Sequence, residues 1–343
     1  MGQSRRDIIA LLLVMAGIAG GLSACGAQGG VGGVMSPTAP GKVTVRYGQF
    51  TIPAATSARM GMLQNNFAFN VKRPCSNCYI TSMQAGLITP DGQNANVHRG
   101  LWLHHMVIMD TSKADLCGWP LGQRFFSSGN ERTPVAGGGP YAYPQNGAPS
   151  WTLIYDLMNM NAQAQQVYIT VEYGYAPLNT PGMRPLTPMW LDVAGCISAS
   201  TRPAQPGQKF TYRSTPFMSQ SVGKMIGIGG HIHDGGINLE VKKNGQVICD
   251  SRATYAGKPE YIEGPGLGSP GAHHISEMSR CQGTREAPVT PIGRGDSFTV
   301  EAHYDMSPTG PAHGHDHGGG AGEPAPHPVM GIAIGYLDLG AGA

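Results

Sequence analysis

Residues 229–241, Gly-Gly-His-Ile-His-Asp-Gly-Gly-Ile-Asn-Leu-Glu-Val, set a His-x-His pair, His231 and His233, in extended-chain surroundings. Successive side chains of a strand point to opposite faces, so residues i and i+2 share one face. His231 and His233 are thereby aimed at one point, which is how a β-protein begins a metal site. A second pair, His104 and His105, stands in Leu-His-His-Met-Val-Ile-Met (103–109). Neighbours in a strand face apart, so this pair converges only at a twist or a strand end. Two pairs far apart in sequence predict two metal centres on two β-domains.

The rest of the chain agrees with a β fold. Short alternating or apolar runs bounded by Gly, Pro and Asn recur at 43–50, 103–109, 167–173, 189–193, 225–228, 237–241, 297–304 and 331–337. Gly (51) and Pro (27) are frequent, only 13% of residues are charged, and long amphipathic helical patterns are absent. These patterns predict an all-β protein of two tandem antiparallel jelly-roll β-sandwich domains, 43–201 and 208–343. The boundary is the Pro/Gly-rich stretch Arg-Pro-Ala-Gln-Pro-Gly-Gln at 202–208. A formal charge of +2 with scattered Lys and Arg forms no basic stripe, which argues against nucleic acid as a partner.

The N-terminus reads as an export leader. Arg5 and Arg6 precede an apolar run, Ile8 to Ile18, that is too short to span a membrane, and Leu22-Ser23-Ala24-Cys25 resembles a bacterial lipobox. The arginine pair also resembles a twin-arginine signal. Residues 1–25 are therefore expected to be a lipoprotein signal, with Cys25 lipidated, and 26–42 a flexible tether. The expected location is the outer face of a bacterial cytoplasmic membrane or the periplasm, with the lipid membrane as partner. Seven cysteines less Cys25 leave six, an even number that suits disulfides in an oxidising compartment. Cys249 with Cys281 and Cys117 with Cys196 are the candidate pairs; Cys75-Ser76-Asn77-Cys78 reads as a further dithiol or half of a metal site.

The order His-His-Met, then His-x-His, then Met330 opening the strand Pro-Val-Met-Gly-Ile-Ala-Ile-Gly-Tyr (328–336) resembles the copper type II, ascorbate-dependent monooxygenases. These are the peptidylglycine α-hydroxylating and dopamine β-hydroxylating enzymes. The resemblance implies one copper on His104, His105 and a third residue, and another on His231, His233 and Met330. In those enzymes the third ligand of the first copper is a histidine. The corresponding segment here, Trp-Thr-Leu-Ile-Tyr-Asp-Leu-Met-Asn-Met (151–160), has none, and Asp156 takes the place, with Glu172 or Met158 as alternatives. A closer overall resemblance is to the plant stress-up-regulated nodulin family, a divergent relative. It is carried by 103–107, by Gly-Gly-His-Ile-His-Asp-Gly-Gly-Ile at 229–237, by Val247-Ile248-Cys249 and by Gly331-Ile332-Ala333, and it spans roughly 44–338.

Other histidines read differently. His303 lies on the polar face of its strand, and His273-His274 forms a loop pair that supports ligands without binding metal. His313, His315 and His317 fall in a His/Gly-rich loop, 309–327, that suits promiscuous chelation. The leader predicts an exported protein, and the resemblance implies a copper-binding, O2-dependent monooxygenase that hydroxylates a C–H bond of a small organic or peptide substrate with ascorbate or another reductant. The alternative is a non-catalytic copper-handling or structural cell-surface lipoprotein. Arg99 and Lys224 are the basic residues near the motifs that could meet a substrate.

Overall fold

Alternation in the sequence becomes alternation in burial. In the first strand, Gly41–Ile52, Val45 and Tyr47 turn inward while Thr44 and Arg46 face solvent. The computed structural model describes residues 35–340, apart from 58, 148, 197–199, 266–268, 283–288 and 312–327. The expected signal at 1–25 with its Cys25, and the histidines His313, His315 and His317, lie outside the described residues.

Among the described residues four sheets carry the chain, and the protein is all-β. In the first half, one sheet orders Gly41–Ile52, Gln165–Pro177, Cys78–Ile88 and Tyr141–Gln145. The other orders Gly61–Phe69, Trp151–Asn159, Leu101–Asp110 and Gln123–Gly129. Their inner faces meet over one core containing Ile80, Leu87, Val171, Phe125, Trp151 and Leu153. In the second half, Thr187–Asp192, Val329–Asp338, Gly223–Ile232 and Arg280–Gln282 form one sheet. Lys209–Arg213, Ser297–Asp305, Gly236–Lys243, Gln246–Tyr255 and Ile275–Met278 form the other. Leu239, Val241, Val300, Ala302 and Ala333 lie in the core between them.

The chain enters its second half earlier than the stretch at 202–208 suggests. Thr187–Asp192 is laddered to the terminal strand, with Trp190 opposite Ile334. The segment between the strand ending at Pro177 and the one starting at Thr187 carries Pro181, Gly182 and Pro185, and it makes the crossing.

A third apolar layer joins the two sandwiches, and it explains why the terminal strand is buried along most of its length. Val329, Ala333 and Leu337 enter the second core, while Ile332, Ile334 and Tyr336 pack with Trp190 and Ile226 on the opposite face. Val107 and Val135 of the first half complete this seam. A strand with both faces covered loses the polar alternation of a half-exposed one. Arg124 of the first half crosses the seam: its guanidinium lies 4.4 Å from the Trp190 ring, pairs with Asp115 at 2.9 Å and donates to the Cys196 carbonyl. Disulfides join Cys117 to Cys196, Cys249 to Cys281 and Cys75 to Cys78.

Trp190 is 2% exposed and its indole N–H donates to Asp192 at 2.8 Å. Trp190→Ala therefore removes a large seam side chain and is expected to cost about 3–5 kcal/mol. The check is the shift in urea midpoint at unchanged slope.

Candidate metal centre

The seam gathers both histidine pairs. In the strand Leu101–Asp110, Leu103 pairs with Leu157, but the next register partner of Asp156 is His105. One residue, His104, is extra on this strand, which is a β-bulge. The bulge breaks the period of two. Leu101 and Leu103 before it, and Met106 and Ile108 after it, all enter the first core. His104 and His105 are both left on the side away from that core, which is how adjacent residues come to point at one place.

The opposing pair comes from the strand Gly223–Ile232. Ile228 and Ile232 enter the second core, so His231 between them faces the seam. His231 pairs with Ile332, a seam residue, in the ladder. His233 follows just past the strand end. One ligand atom each from His104, His105 and His233 lies within 4.8 Å of the others. The rings of His105 and His231 have centroids 5.3 Å apart, and those of His231 and His233 5.6 Å apart. His104 and His105 of one predicted centre and His233 of the other therefore bring their ligand atoms together, with the His231 ring beside them. Residue distance in the chain gives no hint of this, because it results from how the sandwiches dock.

Hydrogen bonds fix which nitrogen each ring presents. His233 Nδ1 donates to the Pro328 carbonyl at 2.7 Å, since a carbonyl only accepts. His105 Nδ1 faces the Asp156 carboxylate at 3.4 Å. His231 Nδ1 donates to Glu131, 3.1 and 3.2 Å from its two oxygens. In each neutral ring the lone pair is thus on Nε2. The Nε2 atoms of His105 and His233 stand 2.6 Å apart, and His231 Nε2 is buried without a hydrogen-bond partner. Two lone pairs that close repel unless a cation lies with them. Burial, aided by the neighbouring His104, pushes His105 down to about 3, and burial and the other three rings hold His233 well below the usual imidazole range. Protons are therefore disfavoured, and a metal ion fits the donor set.

Carboxylates surround the cluster. Burial alone would raise Asp156, but the imidazoles of His104 and His105 and a 2.6 Å bond from the Asn65 N–H hold it below the carboxylate range. Burial likewise acts to raise Glu131, and His231 and the Gly129 N–H overcome it. Gly129 sits opposite His105 in the ladder, and a Cβ there would lie 2.3 Å from His231 Cε1, so glycine alone leaves room for the ring. His274 is fully buried, bonded through Nδ1 to Asp234 at 2.8 Å and through Nε2 to Glu263 at 3.2 Å. Burial opposes its charge, yet the two carboxylates raise its pKa to about 9. Asp234 also accepts from the Ile275 N–H, and so ties the turn after His233 to the strand Ile275–Met278.

Met330 is on the seam side, packed against the apolar seam cluster, and its carbonyl accepts from Tyr304. Met158 is buried on the same strand as Asp156. Glu172 lies on the other sheet of the first sandwich in an exposed ion pair with Lys42, so it does not reach the cluster. His303 lies 3.7 Å from Glu240 on the strand Ser297–Asp305 of a different sheet. Glu131 was not visible in the sequence: a single carboxylate after Gly129-Asn130 carries no motif.

No protein-family model matches the chain. "Probable copper-dependent oxygenase M1" of a Phoma species is 32% identical over 306 residues, covering 86% of this chain and 72% of that protein. The chain belongs to this family of probable copper-dependent oxygenases. A second member, "Probable copper-dependent oxygenase clz3" of Cochliobolus lunatus, is 32% identical over 264 residues, covering 75% of this chain and 79% of its own length. Among solved structures, PNGF-II overlaps at a TM-score of 0.37 with 8% identity over 86% of this chain and 65% of that one, too loose to carry an argument.

Two outcomes are expected. Glu131→Gln keeps an acceptor but removes the charge behind His231, and metal affinity should fall about 10- to 100-fold in a competitive chelator titration. For His274, the folded pKa of about 9 exceeds the ordinary imidazole value. Its stabilising share is therefore complete below about pH 6.5 and lost as pH rises towards 9. Chemical denaturation across this window should show falling stability with a slope approaching one proton, and His274→Gln should flatten it.

Proposed function

We propose that this chain is an O2-dependent copper oxygenase that hydroxylates a C–H bond of a small organic or peptide substrate. The observation that carries the reading is the convergence of His104, His105 and His233 within 4.8 Å of one another, with His231 beside them. When bound there, copper supplies the redox chemistry that activates dioxygen, with ascorbate or another reductant as electron source. In the balance, one oxygen atom enters the C–H bond and the other leaves as water, with two electrons and two protons consumed. The chain's own part is to hold neutral imidazoles in place. Asp156, Pro328 and Glu131 keep Nδ1–H of His105, His233 and His231 engaged, which leaves each Nε2 lone pair free; His105 and His233, with His104, would hold the ion. Met330, on the seam side, offers a thioether that favours the cuprous state.

One shared copper per chain is expected after purification. His105→Ala and His233→Ala should each remove it, although they lie in different sandwiches. Two coppers lost one at a time would instead show independent centres. Ascorbate-driven oxygen uptake should disappear with the metal; copper held without such uptake would leave the non-catalytic reading.

Export and lipid anchoring are part of the proposal, supported by the Arg5-Arg6, apolar and Leu22–Cys25 segments in order. Cys25→Ser is expected to move the protein from the detergent phase to the aqueous phase in a cloud-point partition. Equal partition of both forms would remove the anchor.

A further inference from the structure

Among the described residues of the first half, the large apolar side chains left exposed are Met35, Phe67, Phe69 and Leu121, with Phe69 71% exposed. All belong to one end of the first sandwich. Phe69 closes the edge strand Gly61–Phe69 and pairs with Thr152 at the start of Trp151–Asn159. The short connection 70–77 leads from there to Cys78, which pairs with Pro177 where a strand of the other sheet ends. Leu121 lies in the loop between Asp110, which pairs with Trp151, and Gln123. The first described residues meet the same end: the Met35 carbonyl accepts from the Ser76 N–H at 2.8 Å, and the Ser36 and Ser76 hydroxyls are 2.9 Å apart.

Phe67 and Phe69 form a ledge. Ala68 between them packs on the first core, so both rings face away from it, and they stack at 5.9 Å. Single exposed apolar residues are ordinary on a protein surface, whereas a clustered set marks a contact. Basic residues flank the ledge. In the connection 70–77, Lys72 is exposed and Arg73 half-buried, with Arg73 donating to the Gly147 carbonyl at 3.5 Å. Two carboxylates near this end, Glu172 and Asp110, already hold a lysine each, Lys42 at 2.8 Å and Lys113 at 3.4 Å. Lys72 and Arg73 are left in excess.

We propose that this end of the first sandwich is a membrane-docking surface, with Met35, Phe67 and Phe69 entering the interfacial zone of a bilayer and Lys72 and Arg73 meeting its anionic headgroups. Docking rests on the export and anchor reading, which supplies a short tether. Ten residues separate Met35 from Cys25, so an anchor at Cys25 holds this end within about 35 Å of the bilayer. Such a tether makes docking intramolecular, and a small ledge then suffices. Aromatic rings suit that depth, and each basic residue near an anionic surface strengthens binding about 5-fold. Docking also places the metal cluster: His105 is four residues back along its strand from Met109, which shares a row with Thr152 and Phe69, a rise of about 14 Å.

Hydroxyl-radical footprinting of the full chain, with and without vesicles of phosphatidylethanolamine and phosphatidylglycerol, tests the surface. Met218 is the internal control, because it matches Met35 at 47% exposure but lies on the second sandwich. Flotation in parallel measures how much protein the vesicles hold. On vesicles, Met35, Phe67 and Phe69 are expected to oxidise at least about 5-fold more slowly, with Met218 unchanged. Joint replacement Lys72→Gln and Arg73→Gln should weaken docking about 25-fold and restore most of the lost oxidation. Phe67→Ser with Phe69→Ser, at exposed positions outside the core, should restore it at Met35. Unchanged oxidation of Met35 in protein that floats would overturn the surface and leave the anchor. Flotation lost on replacing the two phenylalanines would overturn the anchor and leave the surface. A wild-type chain that does not float overturns both. Protection that appears without vesicles as protein concentration rises would show self-association through the edge strand Gly61–Phe69 and overturn the lipid assignment.

Discussion

The β-bulge at His104 is the constraint on which the site depends. Without it, His104 and His105 would face opposite sides of the sheet, and one imidazole would be driven into the first core among Leu103, Met106 and Ile108. The bulge turns both outward to the seam, where His231 and His233 arrive from the second sandwich. A single extra residue on one strand thus turns an awkward sequence pair into two of the three histidines whose ligand atoms converge, with His231 beside them. The apolar seam does the remaining work, because Trp190, Ile332, Ile334 and Tyr336 set how closely the two halves approach.

Much of the fold was legible, because a period of two is a local property. The alternation around Val45 and Tyr47, and the shared face of residues two apart, follow from the sequence without knowledge of distant partners. The His-x-His pair was legible as a ligand candidate for the same reason, whereas the adjacent His104 and His105 needed a break in that period, which the bulge supplies. Convergence across the seam was not legible. It depends on the register of Leu101–Asp110 against Trp151–Asn159 and on the docking of two sandwiches, and both are long-range. Asp156 was marked in the sequence as standing where a third histidine was expected, and it lies opposite His105 in the ladder. Glu131 carried no local signature. It is recognised only by what it touches across the seam.

The polar groups at the seam follow one pattern. Each histidine with a bonded Nδ1 gives it to a fixed acceptor: a backbone carbonyl for His233, Asp156 for His105 and Glu131 for His231. The partner of His231 comes from the opposite sandwich. Orientation and docking are therefore not separate properties. A displacement that moved Glu131 would also release the ring of His231, and Gly129 limits how far the ring can move towards the first half.

The ligand set has a thermodynamic consequence. His104 and His105 belong to one sandwich and His233 follows a strand of the other, so an ion shared among these three would bind only when the two are docked. By mass action, free ion at 100 times its dissociation constant would strengthen the docked arrangement by about 2.7 kcal/mol. The seam then behaves as a joint whose stiffness is set by metal supply. Without the ion the two hydrophobic cores and the apolar seam around Trp190 and Tyr336 still hold the halves together, so metal supply would tune the strength of the joint and not decide whether it forms.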